Sequence, residues 1–215
     1  MFLPLLFKNG LSCLIVGGGQ VATRKIEAFV QMPCATTIIA PHISDLIAEE
    51  VRRGSVHWLE REYIGGDCKG FQLVIAATPF REINRQVSDE ARELGIPINV
   101  VDDPALSTVI FPAVWRDRSL LVAVSTEGAA PFMAAEIRTR LAGCTQGMGR
   151  WVEIGGRFRE VVRKEVKNTD ERRNLYQQFL DAGPPDELDN PPESRRLSDW
   201  LSWLKSLRKL HGRFD

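Results

Sequence analysis

The sequence predicts an α/β fold with helices on both faces of a doubly wound parallel sheet. Short apolar runs alternate with stretches of helical periodicity through the first half of the chain, a pattern typical of parallel strands joined by crossover helices. The first apolar run, residues 11–16, breaks into Gly17, Gly18 and Gly19 just before a helical stretch begins. A strand, a tight turn and a helix in that order form the start of a βαβ unit.

The further elements of this sheet each have a local signal. Ser44 precedes a helical stretch in the position of an N-cap, and Gly95 follows another as a helix stop. The apolar, β-branched runs between the helical stretches indicate buried strands. We therefore expect strands at 11–16, 35–40, 56–59, 71–77 and 98–101, with helices at 21–30, 44–53 and 82–94 between them.

The regular alternation ends near Ala105. Residues 109–112 and 119–124 are strand-like but stand outside the simple alternation. A loop of small and polar residues follows, and Pro131 at its end suits the first turn of a helix that we expect to continue to Arg140.

The last third of the chain has a different character. From Trp151 onward charged residues become dense, which indicates solvated helices rather than a second α/β core. Prolines predict an extended linker over 183–192. The final helix, 197–211, has one apolar face, which we expect to dock on the chain's own body or on a second subunit, with a foreign partner or a membrane surface as the alternative.

Composition limits the classes of function. The 28 basic and 28 acidic residues in a chain of 215 leave no net charge, which argues against bulk binding of nucleic acid or of an anionic membrane. No apolar stretch is long enough to span a bilayer, and residues 1–6 are too short for a signal-peptide core. Widely spaced cysteines and histidines indicate neither a disulfide framework nor a metal site. We therefore expect a cytoplasmic protein whose cysteines are reduced thiols, with Cys13 buried in the first strand and Cys34, Cys68 and Cys144 elsewhere.

The glycine run carries the strongest chemical signal. Gly17, Gly19 and Ala22 stand in the order G-x-G-x-x-A. In a strand-turn-helix the first glycine permits the turn, the second lets a pyrophosphate approach the backbone, and the small third residue lets helix pack on strand. Glycine turns also occur where nothing binds, but the surrounding order of elements favours a dinucleotide site at the helix N-terminus. We expect it to include Gly17, Gly18, Gly19, Gln20 and Val21.

Ligands of doubly wound sheets bind beyond the carboxyl ends of the strands. Pro41 and His42 follow the second predicted strand, Thr78 follows the fourth, and Asp102 follows the fifth. Asp102 either supplies a carboxylate to a reaction or, as part of Asp-Asp-Pro, only begins a turn.

Five motifs, in their order and spacing, resemble those of the precorrin-2 dehydrogenase family, the family of siroheme synthase N-terminal regions. They are GGGQVATRK at 17–25, FQLVIAAT at 71–78, NVVD at 99–102, FP at 111–112 and VAVSTEG at 122–128. The resemblance covers about residues 3–165. It implies a Rossmann-like NAD-binding domain at 1–112 and a dimerisation and substrate-cleft region at 113–166, and it leaves a charged helical C-terminal extension at 167–215 with a Pro-rich linker near 183–192.

The resemblance also implies an activity. Members of the family convert precorrin-2, a tetrapyrrole with eight carboxylates, to sirohydrochlorin with NAD, and they act as homodimers. Asp102 matches the proposed catalytic residue of the family. An aromatising dehydrogenation sends a hydride to the nicotinamide and a proton to a base, and a carboxylate supplies that base. Some members also insert ferrous iron into the product, and the sequence leaves this second activity open.

Further contacts follow from the resemblance. Pro41 and His42 match positions on the adenosine side of the cofactor, and Thr78 lies near it. No arginine stands at that strand end to bind a 2'-phosphate, which favours NAD over NADP. Ser125 and Gly128 match the family's loop near the tetrapyrrole.

This chain departs from the family at a few positions. Pro79-Phe80-Arg81 stands where acidic residues are common, Ala130 where a serine is common, and Asp103 where a small residue is common; we treat Asp103 as a bystander. The substitutions at Pro79 and Ala130 and the extra C-terminal tail favour the main alternative, a non-catalytic NAD-sensing or tetrapyrrole-carrying protein of the same fold, whereas the intact Asp102 favours the enzyme. An unrelated Rossmann dehydrogenase is a third hypothesis. The basic residues in or beside the motifs are candidates for the substrate carboxylates: Arg24, Lys25, Arg116, Arg118 and Arg138.

Overall fold

A parallel sheet occupies the first of the two units into which the chain divides, Met1–Phe111 and Pro112–Asp215. The computed structural model describes residues 10–29, 34–184 and 190–211, without the side chains of residues 28, 29 and 208–211. The strands of the first unit are β1 (Leu11–Val16), β2 (Cys34–Ile39), β3 (Val56–Leu59), β4 (Leu73–Ala76) and β5 (Ile98–Val100), and its helices are α1 (Gln20–Phe29), α2 (Asp45–Arg52) and α3 (Arg81–Glu93).

The strand order of this sheet is β3-β2-β1-β4-β5, and every neighbouring pair is parallel. The chain therefore starts in the middle, runs to one edge, and returns to build the other half. The predicted doubly wound sheet is confirmed. Its winding reverses between β1 and β4, and doubly wound folds bind their ligands at the carboxyl side of such a reversal.

Apolar side chains fill the space on both faces of the sheet. Alternate residues of a strand point to opposite faces, and β1 divides in this way between two buried clusters. Cys13 and Ile15 pack with Ile26 of α1 on one face, while Leu14 packs with Val87 of α3 on the other. Cys13 is fully buried, as the sequence predicts.

The second unit joins a β-hairpin to helices. Its strands, β6 (Ala113–Asp117) and β7 (Leu120–Val124), pair antiparallel. The helices are α4 (Pro131–Thr145), α5 (Met148–Glu165), α6 (Thr169–Ala182) and α7 (Leu197–His211). Within the described ranges, no helix of either unit is long and apolar enough to cross a bilayer.

Aromatic rings form the core shared by α5, α6 and α7. Trp151 and Phe179 stack with ring centroids 3.8 Å apart, and Phe158 lies 5.6 Å from Trp200. Trp200, Leu204 and Leu207 of α7 are buried in this cluster. The prediction that the last helix docks on the chain's own body is confirmed, because its apolar face packs on α5 and α6.

Some predicted boundaries differ from the structure. Residues 109–112 do not form a strand; instead the N–H groups of Thr108 and Val109 both donate to the carbonyl of Ile98, at 2.8 and 3.1 Å, and the chain enters β6 only after Pro112, which has no N–H to donate. The helix predicted to end at Arg140 continues to Thr145. Val30, residues 3–9 of the region of resemblance and residues 185–189 of the predicted linker lie outside the described residues.

Candidate functional site

The turn between β1 and α1 lies against the ends of two neighbouring strands. The N–H of Gly17 donates to the carbonyl of Ile39 at 2.9 Å, and the N–H of Ala77 donates to that of Val16 at 2.8 Å. Gly17 has a φ of +115°, and a Cβ at this position would lie 2.5 Å from the carbonyl oxygen of Ala77. Since both the backbone dihedral and the available space exclude a side chain, the turn requires glycine here.

The next two glycines face different surroundings. A Cβ on Gly18 would lie 2.1 Å from the carbonyl oxygen of His42, so this glycine lets the turn pack on the loop between β2 and α2. Gly19 is exposed, and a Cβ there would have nothing within 4 Å. Its carbonyl accepts the N–H of Thr23 at 3.0 Å as α1 begins. The first N–H groups of a helix have no intrahelical partner, so those of α1 border an open space in which a phosphate can bind.

The loop after β2 borders the same turn. Pro41 and His42 are exposed there. The hydroxyls of Thr23 and Ser44 lie 2.8 Å apart and join the first turn of α1 to the N-cap of α2. Asp45, the first residue of α2, is exposed and brings a carboxylate to this strand end.

Thr78, just past β4, is held by one buried side chain of α3. Oδ1 of Asn84 accepts the N–H of Thr78 at 3.2 Å and its hydroxyl at 2.7 Å, and Nδ2 of Asn84 donates to the carbonyl of Thr78 at 2.9 Å. The N–H of Phe80 donates to the same hydroxyl at 3.2 Å. Because the hydroxyl already donates to Asn84, what it can offer a ligand is an acceptor lone pair.

Asp102 is exposed at the end of β5 and has a left-handed backbone, with φ 59°. The N–H of Val101 donates to the carbonyl of Ala76 at 3.0 Å, which places this loop beside the end of β4. The carboxylate of Asp103, expected from the sequence to be a bystander, accepts a hydrogen bond from Nε of Arg81 at 3.2 Å. The first unit thus gathers the glycine turn, the loop after β2, Thr78 and Asp102 at the carboxyl edge of one sheet.

One cation of the glycine motif is partly buried. The ammonium of Lys25 lies 4.0 Å from the ring centroid of Phe111, a cation-π contact. Burial lowers the pKa of Lys25, and the positive charge of Arg24 lowers it further. Arg24 itself is exposed.

The predicted tetrapyrrole loop belongs to the second unit. Ser125 and Gly128 are exposed between β7 and α4, and the hydroxyl of Ser125 accepts the N–H of Glu127 at 3.1 Å. Ala130, at the position where a serine was expected to be common, has no hydroxyl to offer, and its N–H donates to the hydroxyl of Thr126 at 3.1 Å. Among the candidate cations of this unit, Arg116 is exposed, Arg118 pairs with Glu153 and the Nε of Arg138 is buried.

A surface groove of about 740 Å³ lies away from this edge, between α3 and the loop before β4. Its lining includes the carboxylates of Asp89, Glu90 and Glu93. Acidic walls repel a pyrophosphate or a polycarboxylate, so the groove does not suit either expected ligand. In the described part of the chain, no three His, Cys, Asp or Glu side chains are grouped closely enough to hold a metal ion.

Sequence reasoning missed the groups that hold the site in place. Asn84 lies on the helix predicted over 82–94 and Arg81 just before it, but their partners come from separate loops. One signal was available for Asn84: it falls on the same helix face as buried Val87 and Ala91, where a polar residue needs a partner. The packing of Gly18 on His42 left no sequence signal.

Comparisons with known proteins show what the chain is similar to. Residues 6–113 match a family described as putative NAD(P)-binding, and residues 147–191 match the siroheme synthase dimerisation region. The chain is 40% identical over 189 residues to the siroheme synthase of Methylococcus capsulatus, an alignment that covers 87% of this chain and 40% of that protein. It is also 40% identical over 186 residues to the siroheme synthase of Azotobacter vinelandii, covering 85% of this chain and 40% of the relative.

The chain thus spans about 40% of the length of these curated relatives. Among solved structures, that of SirC, a precorrin-2 dehydrogenase, is similar with a TM-score of 0.71 and 22% sequence identity. The similarity covers 97% of this chain and 100% of SirC, and it shows that the two share a fold.

Proposed function

Because the chain belongs to the precorrin-2 dehydrogenase family, the family of siroheme synthase N-terminal regions, we propose that it oxidises precorrin-2 to sirohydrochlorin with NAD. The observation that supports this most is the meeting of two features at one sheet edge. Val16, just before the glycine turn, accepts the N–H of Ala77, and Val101, just before Asp102, donates to the carbonyl of Ala76, so that both features flank the end of β4.

The reaction removes two hydrogens from the substrate, one as a hydride and one as a proton. NAD, when held at the glycine turn, would supply the acceptor for the hydride. The exposed carboxylate of Asp102 takes the proton, since a carboxylate is a base that does not compete for hydride. The products are sirohydrochlorin, NADH and one proton released when Asp102 returns to its carboxylate form.

Backbone groups of the first unit hold the dinucleotide in this proposal. Gly17, Gly18, Gly19, Gln20 and Val21 surround the pyrophosphate at the N-terminus of α1, where exposed Gly19 leaves room for it. Pro41 and His42 contact the adenosine, and Thr78 borders the nicotinamide side. Between Ala40 and Asp45 there is no arginine or lysine, which supports NAD rather than NADP because a 2'-phosphate needs a cation.

The second unit supplies the rest of the enzyme in this proposal. Ser125 and Gly128 contact the tetrapyrrole, and residues 113–166 join two copies into a homodimer. The match of residues 147–191 to a dimerisation region supports the homodimer. So do exposed apolar residues along α4, because large exposed apolar faces mark interaction sites: Phe132, Met133, Ile137 and Leu141. A reducing cytoplasm suits the four free cysteines.

Anaerobic incubation of the purified protein with freshly generated precorrin-2 tests the proposal. We expect the absorption spectrum to change to that of sirohydrochlorin when NAD is added, and to change much more slowly with NADP. Conversion without NAD, or no conversion although NAD binds, would contradict the proposal; the second result would favour the NAD-sensing or tetrapyrrole-carrying alternative. Adding ferrous ion after conversion then shows whether metal insertion exceeds the rate without protein.

A further inference from the structure

Side chains of helix α3 bond to the loop after β4, which contains Thr78, and to the loop after β5, which contains Asp102 and Asp103. Near its start, Asn84 binds the backbone and hydroxyl of Thr78. Along the same helix, Arg81 donates to the carboxylate of Asp103 at 3.2 Å, the hydroxyl of Ser88 to the carbonyl of Leu106 at 2.6 Å, and Arg92 to that of Ala105 at 2.9 Å. Three of these four side chains therefore attach to the loop that follows Asp102.

The backbone of Asp102 needs such support. A left-handed conformation is uncommon for residues other than glycine, although aspartate tolerates it better than most. It persists where the surroundings leave no alternative. Here the N–H of Asp103 donates to the carbonyl of Val100 at 3.3 Å, and the hydroxyl of Ser107 accepts the N–H of Val100 at 2.9 Å. Both sides of Asp102 are thus tied to the end of β5.

The ion pair adds a side-chain attachment at the next residue. The Asp103 side chain is only 18% exposed, whereas that of Arg81 is 68% exposed. The covered carboxylate thus has a fixed position against α3. Because Asp103 shares a peptide bond with Asp102, fixing its side chain limits rotation of that peptide.

We propose that the Arg81–Asp103 ion pair positions Asp102 for proton transfer, so that Arg81 and Asp103 are positioning residues of the site. This inference rests on the proposed function, in which Asp102 is the base. The pair acts in two ways. It attaches the loop to α3, and it neutralises a second carboxylate beside the first. An unpaired Asp103 would place two adjacent negative charges in the loop, and their repulsion would turn the side chains apart. A misplaced base slows the chemical step without weakening ground-state binding.

The variant Arg81→Gln removes the charge and keeps a polar side chain. We expect kcat to fall about fivefold, the size that an exposed ion pair allows, while KM for NAD and for precorrin-2 stays unchanged. Arg81→Lys, which keeps the charge, should recover part of the loss. Arg85→Gln is the matched control, since Arg85 is an exposed arginine one turn further along α3, and it should leave kcat unchanged.

A double variant separates the pair from other effects of each residue. If both residues act through their contact, Arg81→Gln combined with Asp103→Asn should lower kcat no more than Arg81→Gln alone. Hydrogen exchange of the backbone amides over residues 100–107 gives a readout that needs no turnover. It should be faster in Arg81→Gln than in the native protein, because the loop has lost one of its attachments.

Either of two results would overturn this inference and leave the proposed function intact. A rise in KM for precorrin-2 with unchanged kcat would place Arg81 on a substrate carboxylate instead. Unchanged kcat together with unchanged amide exchange would show that the loop does not depend on the pair. A native protein that converts no precorrin-2 would overturn the proposed function, and with it the role of the pair in catalysis.

Discussion

Gly17 and Gly19 belong to one motif, but a side chain at Gly17 should affect folding, whereas one at Gly19 should affect cofactor binding. A methyl group at Gly17 meets the carbonyl of Ala77 at 2.5 Å, and the φ of +115° disfavours any side chain. We expect Gly17→Ala to lower the free energy of unfolding by about 1–3 kcal/mol from the dihedral alone, with the clash adding to it. Urea titration measures this loss.

Gly19→Ala is the matched variant, because a Cβ there enters open space without a strained dihedral. It should unfold at nearly the native urea concentration yet bind NAD more weakly, since the methyl group occupies the space proposed for the pyrophosphate. Calorimetric titration with NAD measures the affinity. Native affinity in Gly19→Ala would remove this glycine from the cofactor site.

Replacing Asp102 by asparagine separates chemistry from folding. Asparagine is well tolerated in the left-handed conformation that Asp102 adopts, so the loop should keep its shape. Without a base, kcat should fall by about 100-fold or more, whereas the dissociation constant for NAD should not change. Steady-state kinetics and calorimetry of the same preparation test both, and a kcat close to the native value would exclude Asp102 as the base.

How far the sequence predicts the site depends on the range of each contact. The turn at Gly17 follows from a local motif, and the exposed position of Asp102 follows from a strand end. The clamp of Asn84 on Thr78 and the pair of Arg81 with Asp103 join residues from different elements. Such contacts depend on how α3 lies on the sheet, which the hydrophobic periodicity of the sequence does not predict.

Among the elements, the loop before β4 is fastened to α3 by one carboxylate. Glu90 accepts hydrogen bonds from the hydroxyl of Tyr63 and from the N–H groups of Gly66 and Cys68, the last two at 2.9 Å. Burial acts to raise the pKa of Glu90, but these hydrogen bonds outweigh it and hold the pKa below its usual value.

A lowered native pKa fixes the sign of the pH dependence. The stability that Glu90 contributes is present above the pKa of the unfolded state, about 4.3, and is lost as pH falls through the lower native pKa. We expect Glu90→Gln to lower the free energy of unfolding at pH 7 by about 1–3 kcal/mol, and the gap to the native protein to shrink in acid. Glu93→Gln, an exposed position on the same helix, is the control. Urea unfolding between pH 3 and pH 7 tests the prediction, and a gap that widens in acid would contradict it.

The exposed apolar residues of α4 allow a test of the proposed homodimer. If Ile137, which is 38% exposed, lies in the proposed dimer interface, Ile137→Glu should yield monomers, because it would bury an unpaired charge. Thr139→Glu, on the other side of the helix, should leave the dimer intact. Light scattering after size-exclusion chromatography gives the mass of each variant, and a monomeric native protein would contradict the proposed assembly.

The sequence predicts whether a segment is a strand or a helix more accurately than it predicts where that segment begins and ends. All five predicted strands of the sheet form, since buried β-branched runs have few alternatives. Residues 109–112 do not form the expected strand, because the N–H groups of Thr108 and Val109 bond to the carbonyl of Ile98 in β5. The strand therefore begins after Pro112, a boundary that tertiary contacts decide.

At the scale of the whole molecule, each unit has a core of its own. The sheet of the first unit encloses two apolar clusters, and the aromatic cluster of α5, α6 and α7 stabilises the second. The sequence predicts the last helix as an amphipathic element, and the structure shows its Trp200 among the rings of α5 and α6. The sequence alone could not show which surface this helix packs on, because an apolar helix face can pack on many surfaces.

The stoichiometry of the proposed reaction is the decisive measurement, because it depends on both the cofactor and the substrate. In an anaerobic cuvette with limiting precorrin-2 and excess NAD, the formation of NADH and of sirohydrochlorin can be followed together from their separate absorption bands. We expect one NADH for each sirohydrochlorin formed by the native protein. Sirohydrochlorin formed without NADH, or neither product formed by a protein that binds NAD, would contradict the proposed function.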